Sequence, residues 1–288
     1  MSEQLNELRQ KTEERIEGTA GRNPWGTFKL RLGQQGRWSL GPCTIWIRRS
    51  SKEWLIAVKS SRDYLSTEAD VQIPITDDAW PEADDVRYSR FAFSETRNQI
   101  TLWPEMSPIS VVFSPETQVF VTPGEHVTLY VSTPLWVRLE TGDPPTLLDE
   151  FPTFRPSDTW FGANTREGEY CYGVKMSGRL HLDDLPARVH RAITPIQIRN
   201  HAKDRLKIEQ VRLPVQMLSL YRGGDGMLWT QPVVLERAAD GAGAVLHLKE
   251  HFEHETRDME LVRAPREEYG TSIVSRAWHW FFKRGKEN

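Results

Sequence analysis

The chain has 288 residues and a formal net charge of −3, with 38% hydrophobic and 27% charged residues. This length is sufficient for two β domains, or one large one, each with a buried core. The acidic balance argues against a general nucleic-acid binder, because neutralising phosphates requires a basic face. Tryptophan is frequent, with eleven residues. We expect most of them to pack between sheets, and the alternative is that a few line a carbohydrate or partner surface.

The N-terminal residues predict a helix rather than a targeting signal. Residues 2–17 are strong helix formers without Pro or Gly, and Gly18 follows them. We therefore predict a helical arm over residues 1–20. The charged and polar character of residues 1–18 argues against a signal peptide, and no apolar run reaches the ~20 residues that a membrane helix needs. We expect a cytoplasmic protein.

From Trp25 onward the hydrophobic period changes from that of a helix to that of a strand. Phe28, Leu30 and Leu32 alternate with polar residues, and turn residues recur about every ten positions, as in a sandwich or barrel. We predict a first β domain over residues 21–143. The stiff polar segment 142–145 is the predicted domain boundary.

An acidic stretch lies inside this first domain. Residues 63–85 contain eight Asp and Glu residues and no Lys or Arg, so their net charge is −8. Two interpretations are open: solvated loops beside a short strand, or an acidic rim for a cationic ligand or Ca²⁺, which takes carboxylate oxygens. The spacing does not match an EF-hand loop.

The second half predicts another β domain over residues 144–270. Trp160 and Phe161 lie in a segment that we expect to be loop-like and aromatic. Ile193–Glu236 is predicted as a run of antiparallel strands, in which one strand ends at Asn200 and Val215 and Met217 share a face. Glycines in segment 223–226 supply a tight hairpin. The predicted fold class is all-β, with two antiparallel β-sandwich-like domains, the second immunoglobulin-like, and short terminal helices.

No motif in the chain names a reaction. His247, His251 and His254 would share one side of a helix and could hold a metal in a hydrolase, but the residues before His247 indicate a strand and no HExxH is present. No nucleophile elbow, P-loop or dinucleotide fingerprint occurs. We therefore predict no catalytic residue and no cofactor. Cys43 and Cys171 exclude a disulfide framework and leave one long-range bridge open.

The C-terminal segment 271–288 is predicted as an amphipathic helix that is basic and aromatic. Arg276, Lys283, Arg284 and Lys286 against Glu287 give it a net charge of +3. Such a helix suits a membrane interface or a groove on a partner, and the alternative is that it packs back on the body. The predicted binding residues are Ile273, Val274, Trp278, Trp280, Phe281, Phe282, Lys283 and Arg284.

Several strand patterns carry a resemblance to a known family. They are Thr194–Asn200, Leu206–Glu209, Leu213–Val215, Leu218–Tyr221 and Trp229, with Pro123–Leu139 similar to the earlier half. They resemble an uncharacterised family of β-rich proteins shared by archaea and some bacteria, over about Trp25 to Lys249. The resemblance implies no catalytic residues, and it implies that bacterial members accompany small mechanosensitive channels.

Three hypotheses follow for function. The first is a non-enzymatic binding protein, an accessory partner of a membrane protein such as a small mechanosensitive channel, attached through its C-terminal helix at the inner face of the membrane. The second is a carbohydrate- or small-ligand-binding module that uses exposed tryptophans of the body. The third is the metal-dependent hydrolase.

Overall fold

The computed structural model describes residues 23–75, 80–115, 117–162, 166, 168–174, 178–240, 244–249, 259–268 and 273–275. The predicted N-terminal helix therefore lies outside the described residues. The chain divides into two compact units: unit 1 is drawn from residues 1–104 and 137–154, and unit 2 from residues 105–136 and 155–288. Each unit takes two separate stretches of the sequence.

The described residues form 23 strands and two short 3₁₀ helices, so the predicted all-β class is confirmed. The first twelve strands are β1 (Gly26–Lys29), β2 (Gln35–Leu40), β3 (Cys43–Arg49), β4 (Glu53–Ser60), β5 (Ala69–Gln72), β6 (Val86–Ala92), β7 (Gln99–Glu105), β8 (Val111–Phe113), β9 (Val119–Val121), β10 (His126–Pro134), β11 (Trp136–Thr141) and β12 (Thr146–Pro152). The others are β13 (Ser157–Phe161), β14 (Glu169–Gly173), β15 (Arg191–Asn200), β16 (Leu206–Ile208), β17 (Val211–Leu213), β18 (Leu220–Arg222), β19 (Leu228–Thr230), β20 (Val233–Arg237), β21 (Ala244–Leu248), β22 (Glu260–Arg263) and β23 (Ile273–Ser275). The 3₁₀ helices are Leu182–Asp184 and Val215–Met217.

Unit 1 contains a five-stranded sheet with the order β5-β2-β3-β4-β6 and a four-stranded sheet with the order β1-β7-β11-β12. Alternating residues of β2, β3 and β4 point into the core, where Trp38, Ile45 and Trp54 are fully buried. The Phe28 ring of β1 meets the Trp38 ring edge-on, with centroids 5.3 Å apart. Burial of one face of each sheet therefore forms the core of this unit.

The acidic stretch crosses the five-stranded sheet. It joins β5 at one edge to β6 at the opposite edge, so the chain must pass from one side of the sheet to the other. The Trp80 ring lies 4.6 Å from the Arg48 guanidinium carbon, and Asp85 pairs with Lys59 at 3.0 Å. Tyr88 of β6 donates to the Pro81 carbonyl at 2.6 Å. Its described residues thus contact a sheet surface that carries cations.

Unit 2 is centred on β15, the longest strand. Over residues 191–199 β15 pairs antiparallel with β10, and on its other side it pairs parallel with β19 and β20. The resulting eight-stranded sheet continues through β18 and β22 in one direction and through β21 and β23 in the other. Unit 2 also contains a four-stranded sheet, β13-β14-β8-β17, and a two-stranded sheet, β16-β9.

Several local predictions are confirmed and others are corrected. Strand β15 ends at Asn200, and Gly223–Gly226 joins the antiparallel pair β18 and β19. The segment Val215–Met217 is a 3₁₀ helix rather than a strand, since Pro214 before it has no N–H for a sheet. The run Ile193–Glu236 is not one antiparallel series, because β15 and β20 are parallel and β16 and β17 belong to other sheets.

The segment 142–145, predicted as a domain boundary, is the turn between β11 and β12, which are neighbours in one sheet of unit 1. Proline and glycine mark both linkers and hairpin turns, so composition does not separate the two. Trp160 and Phe161 lie on strand β13 and not in a loop. No helix among the described residues is long and apolar enough to cross a membrane.

Candidate binding surface

Strand β14 carries aromatic residues at alternating positions, and its partner β13 ends with the adjacent aromatic residues Trp160 and Phe161. Tyr170 and Tyr172 share one face of β14, whereas Cys171 between them points to the other face and is buried with Val112 and Phe161. Trp160 of β13 is the direct cross-strand partner of Tyr170, so the two rings lie on the same face. The alternation fixes one face of this hairpin as aromatic and the other as core.

The four rings Trp160, Tyr170, Tyr172 and Trp136 form a continuous row, which we call the aromatic row. Neighbouring centroids along it are 5.7, 6.0 and 5.7 Å apart. The buried end is Trp136, which is 5% exposed and stacks on Tyr172. The exposed end is Trp160 at 53%, beside Tyr170 at 42%. The core thus holds one end of the row while the other end presents ring faces to solvent.

A carboxylate lies beside the exposed end of the aromatic row. The Tyr170 hydroxyl donates to Asp158 Oδ1 at 2.6 Å. This hydrogen bond is the main reason that the pKa of Tyr170 is raised to about 12, with smaller contributions from desolvation and from the charge of Asp158. Arg155 lies close enough to oppose the shift. At neutral pH the Tyr170 phenol is therefore neutral, and its hydrogen bond to Asp158 fixes its position.

Strand β13 is also the last strand of its sheet. It pairs with β14 over Ser157–Phe161, and none of the described residues forms a ladder with its other edge. An unpaired strand edge leaves a row of N–H and C=O groups available to another chain. Trp160 and Asp158 stand on that edge strand, so the aromatic row and the open edge adjoin.

The two cysteines do not provide a nucleophile. Burial raises the pKa of Cys43 to about 12 and is the main cause that raises the pKa of Cys171 to about 11. Both side chains are free and buried. Since the thiolate is the reactive form, both are inert thiols near neutral pH.

A second carboxylate near the aromatic row, that of Glu169, is engaged in a structural pair. Glu169 of β14 pairs with Arg212 of β17 at 2.5 Å and also receives a hydrogen bond from Ser110. Elsewhere in unit 2, the buried Glu105 carboxylate pairs with Arg263 of β22 at 2.9 Å. Both pairs tie one strand to another, and neither carboxylate is left to act on a substrate.

Of the three histidines considered for a metal site, the structure describes one. His247 lies on strand β21, 3.9 Å from Glu236, which confirms the strand that the residues before it predict. The helix on which a three-histidine metal site would depend is therefore not formed at this residue. His251 and His254 lie outside the described residues. Within the part of the chain that the structure describes, no three His, Cys, Asp or Glu side chains are grouped to hold a metal.

The predicted C-terminal helix is corrected at its start. Ile273 and Val274 lie on strand β23, where they pair with Leu246 and Val245 of β21, so a helix is wrong for these two residues. The reason is long-range: an exposed edge of β21 is available to them, and β-branched residues suit it. Trp278, Trp280, Phe281, Phe282, Lys283 and Arg284 lie outside the described residues.

The sequence predicts an aromatic segment at Trp160 but does not predict the aromatic row. Asp158, Tyr170 and Tyr172 were not predicted as binding residues. A usable signal existed, because segment 169–173 has aromatic residues at alternating positions and the short segment 157–161 ends with Trp160 and Phe161. Only the pairing of the two strands brings those aromatic residues together on one face.

Comparison with known proteins identifies a family. Residues 24–283 match the family described as "Protein of unknown function (DUF432)". The match confirms the resemblance to an uncharacterised family, and it extends past Lys249 to include Trp278–Phe282, so the aromatic part of the C-terminal segment falls inside it. No curated protein and no solved structure matches the chain.

Proposed function

Since the chain belongs to the DUF432 family, whose description assigns no activity, we propose that it is a non-enzymatic binding protein that engages a partner through the aromatic row. The observation that carries this proposal is the exposure of Trp160 and Tyr170 at the end of a row whose other end is held in the core. Rigid Trp and Tyr side chains backed by a packed core are the usual anchors of protein interfaces.

The other tryptophans support this assignment by contrast. Trp38, Trp54, Trp136 and Trp229 are buried, and Trp160 is the most exposed tryptophan among the described residues. An exposed indole on a strand does not pack in the core of its own chain. When a partner covers it, apolar surface is removed from water and the complex is stabilised. The aromatic row therefore gains hydrophobic free energy when an occupant covers Trp160.

Array binding of the full chain tests this proposal. We expect ligands found on heptapeptide and glycan arrays to lose at least about tenfold in affinity in the double variant Trp160→Ala, Tyr170→Ala, since anchor residues each contribute on the order of 1–2 kcal/mol or more. Glycan ligands would identify the carbohydrate module of the second hypothesis, and peptide ligands a protein partner.

The matched control is Phe120→Ala, which removes an aromatic side chain that is 49% exposed on β9. It should leave binding within twofold of the unchanged chain. Ligands that bind all three proteins equally would show that the aromatic row is not the site. Circular dichroism and melting temperature of each variant check that the fold is intact.

A second candidate function is the attachment predicted for the C-terminal segment. The observation that favours it is strand β23, because its pairing with β21 fixes the position of Ser275, the residue before segment 276–288. Those residues carry Trp278, Trp280, Phe281 and Phe282 with a net charge of +3, a composition suited to an anionic bilayer or a membrane protein at the inner face of the membrane.

The position of strand β23 determines where the chain can be shortened without removing part of the sheet. A chain that ends at Gly270 would lose β23 and uncover β21, so the informative truncation ends at Ser275. We expect the full chain to co-sediment with vesicles of 30% phosphatidylserine and the shortened chain to remain in solution. The full-length variant Trp278→Ala, Phe282→Ala should behave like the shortened chain. Equal sedimentation of all three would remove this function.

A further inference from the structure

We infer that the partner of the aromatic row is an extended peptide segment, which adds a strand to the open edge of β13 and carries an apolar and a basic residue two positions apart. This inference rests on the proposed function and specifies its mode of recognition. Strand addition combines backbone hydrogen bonds, which supply affinity, with pockets for alternate side chains, which supply specificity.

The backbone of β13 supplies the first element. Its five residues pair with β14 on one side only, within the described part of the chain. Proteins protect exposed edges with lysine, proline or bulges, and Ser157–Phe161 contains no lysine and no proline and pairs with β14 in an unbroken register. The edge is thus a regular template for an incoming strand.

The side chains of β13 supply the second element. Trp160 and Asp158 are two positions apart and point to the same face, so an added strand places two of its own alternate residues beside them. The residue beside Trp160 gains most if it is apolar or aromatic, because the indole is more than half exposed. The residue beside Asp158 gains most if it is Lys or Arg.

The carboxylate is oriented for this purpose. Asp158 Oδ1 already accepts the Tyr170 hydroxyl at 2.6 Å, which fixes the carboxylate relative to the aromatic row. Among the described residues no cation forms an ion pair with it, so a basic residue of the peptide would complete its contacts. In a strand added antiparallel to β13, the residue beside Trp160 precedes the residue beside Asp158, so charge complementarity and ring packing together predict the pattern apolar-x-basic.

A second copy of the chain fits this edge less well. Antiparallel pairing of two β13 strands about Thr159 would set Trp160 of each copy opposite Asp158 of the other. That arrangement places a carboxylate against an indole face, whose quadrupole is also negative. The side chains of β13 are thus not complementary to themselves, which favours a peptide of different sequence.

The test uses an acetylated heptapeptide of threonines with Phe at the third position and Lys at the fifth. Two derivatives carry N-methyl groups, one on the odd residues and the other on the even residues. In an added strand only alternate N–H groups face β13. We expect one derivative to lose at least about tenfold in affinity while the other binds like the parent, and amide exchange of residues 157–161 to slow at least about tenfold.

Other outcomes overturn the inference in distinguishable ways. If both N-methylated peptides bind like the parent but Trp160→Ala abolishes binding, side chains alone recognise the ligand, and the proposed function stands without strand addition. No binding of the parent peptide to either the full chain or the chain ending at Ser275 removes strand addition by this pattern. Trp160-dependent dimerisation in sedimentation velocity would make a second copy the occupant. Binding that appears only in the chain ending at Ser275 would make the chain's own C-terminal segment the occupant.

Discussion

The tryptophans of unit 1 and the aromatic row of unit 2 show how the same residue type takes opposite roles. Trp38 and Trp54 lie on inner strands of the five-stranded sheet and are fully buried, and Trp38 is packed edge-on against Phe28 of the other sheet. Trp160 lies on an edge strand and is more than half exposed. The role of each tryptophan is set by whether a second layer covers its face, which the local sequence does not specify.

Truncation of the buried tryptophan is the strongest test of this comparison. Trp54→Ala should lower the free energy of unfolding by about 3–5 kcal/mol, because it removes a large side chain from a closed core and leaves a cavity. Trp160→Ala should change it by less than about 1 kcal/mol, as is usual for exposed positions. Urea unfolding followed by far-UV circular dichroism measures both. A Trp160→Ala variant as unstable as Trp54→Ala would make the aromatic row part of the core.

The two cysteines give a second comparison between unit 1 and unit 2. Cys43 begins β3, which lies two strands from either edge of its sheet, whereas Cys171 lies on β14, next to the edge strand β13. Both thiols should resist iodoacetamide at pH 8 in the folded protein and react on unfolding, since burial raises both pKa values. Cys171 should be labelled faster than Cys43, because local opening begins at sheet edges.

The raised thiol pKa values also predict how stability depends on pH. The unfolded chain loses thiol protons above the ordinary pKa of 9.0, while folded Cys43 keeps its proton up to about 12. This contribution to stability is therefore complete below pH 9 and is lost as pH rises through 9 to 12, by about 1 kcal/mol per pH unit. Cys43→Ala should flatten the decline between pH 9 and 10.5 in urea unfolding. A decline of the same slope in both proteins would assign it to other groups.

The fold class follows from the sequence because alternation and turn residues are local signals. The pattern of Cys43, Ile45 and Ile47 predicts β3 directly, and the glycines of segment 223–226 predict the hairpin of β18 and β19. The sequence does not predict which strands that are distant in the chain pair with each other. The register of β10 with β15 and the parallel contact of β15 with β20 depend on the whole unit.

The candidate site illustrates the same limit. Trp160 can be recognised in the sequence as an aromatic residue. The rest of the aromatic row comes from residues such as Tyr170, ten positions later, and Trp136 on another strand. The prediction of a helix at Ile273 and Val274 was wrong because a 3.6-residue pattern in the following residues outweighed the β-branched pair itself. Ile273 and Val274 form a strand because they pair with the edge of β21.

The smallest expected effect concerns the carboxylate of the aromatic row. Asp158→Asn should lower the pKa of Tyr170 from about 12 towards its ordinary value of 10.0, because it replaces the charge-assisted hydrogen bond to Asp158, the main cause of the shift, by a weaker one to a neutral amide. Absorbance at 295 nm, taken as the difference from the matching Tyr170→Phe protein, reports this one phenol. At pH 11 Tyr170 should remain protonated beside Asp158 and ionise beside Asn. If it stays protonated in both, the carboxylate does not hold the phenol, and Asp158 would then have no fixed position from which to select a basic residue. The same substitution should leave the unfolding free energy within about 0.5 kcal/mol, as expected for an exposed residue, so a change in peptide preference would report the charge and not the fold.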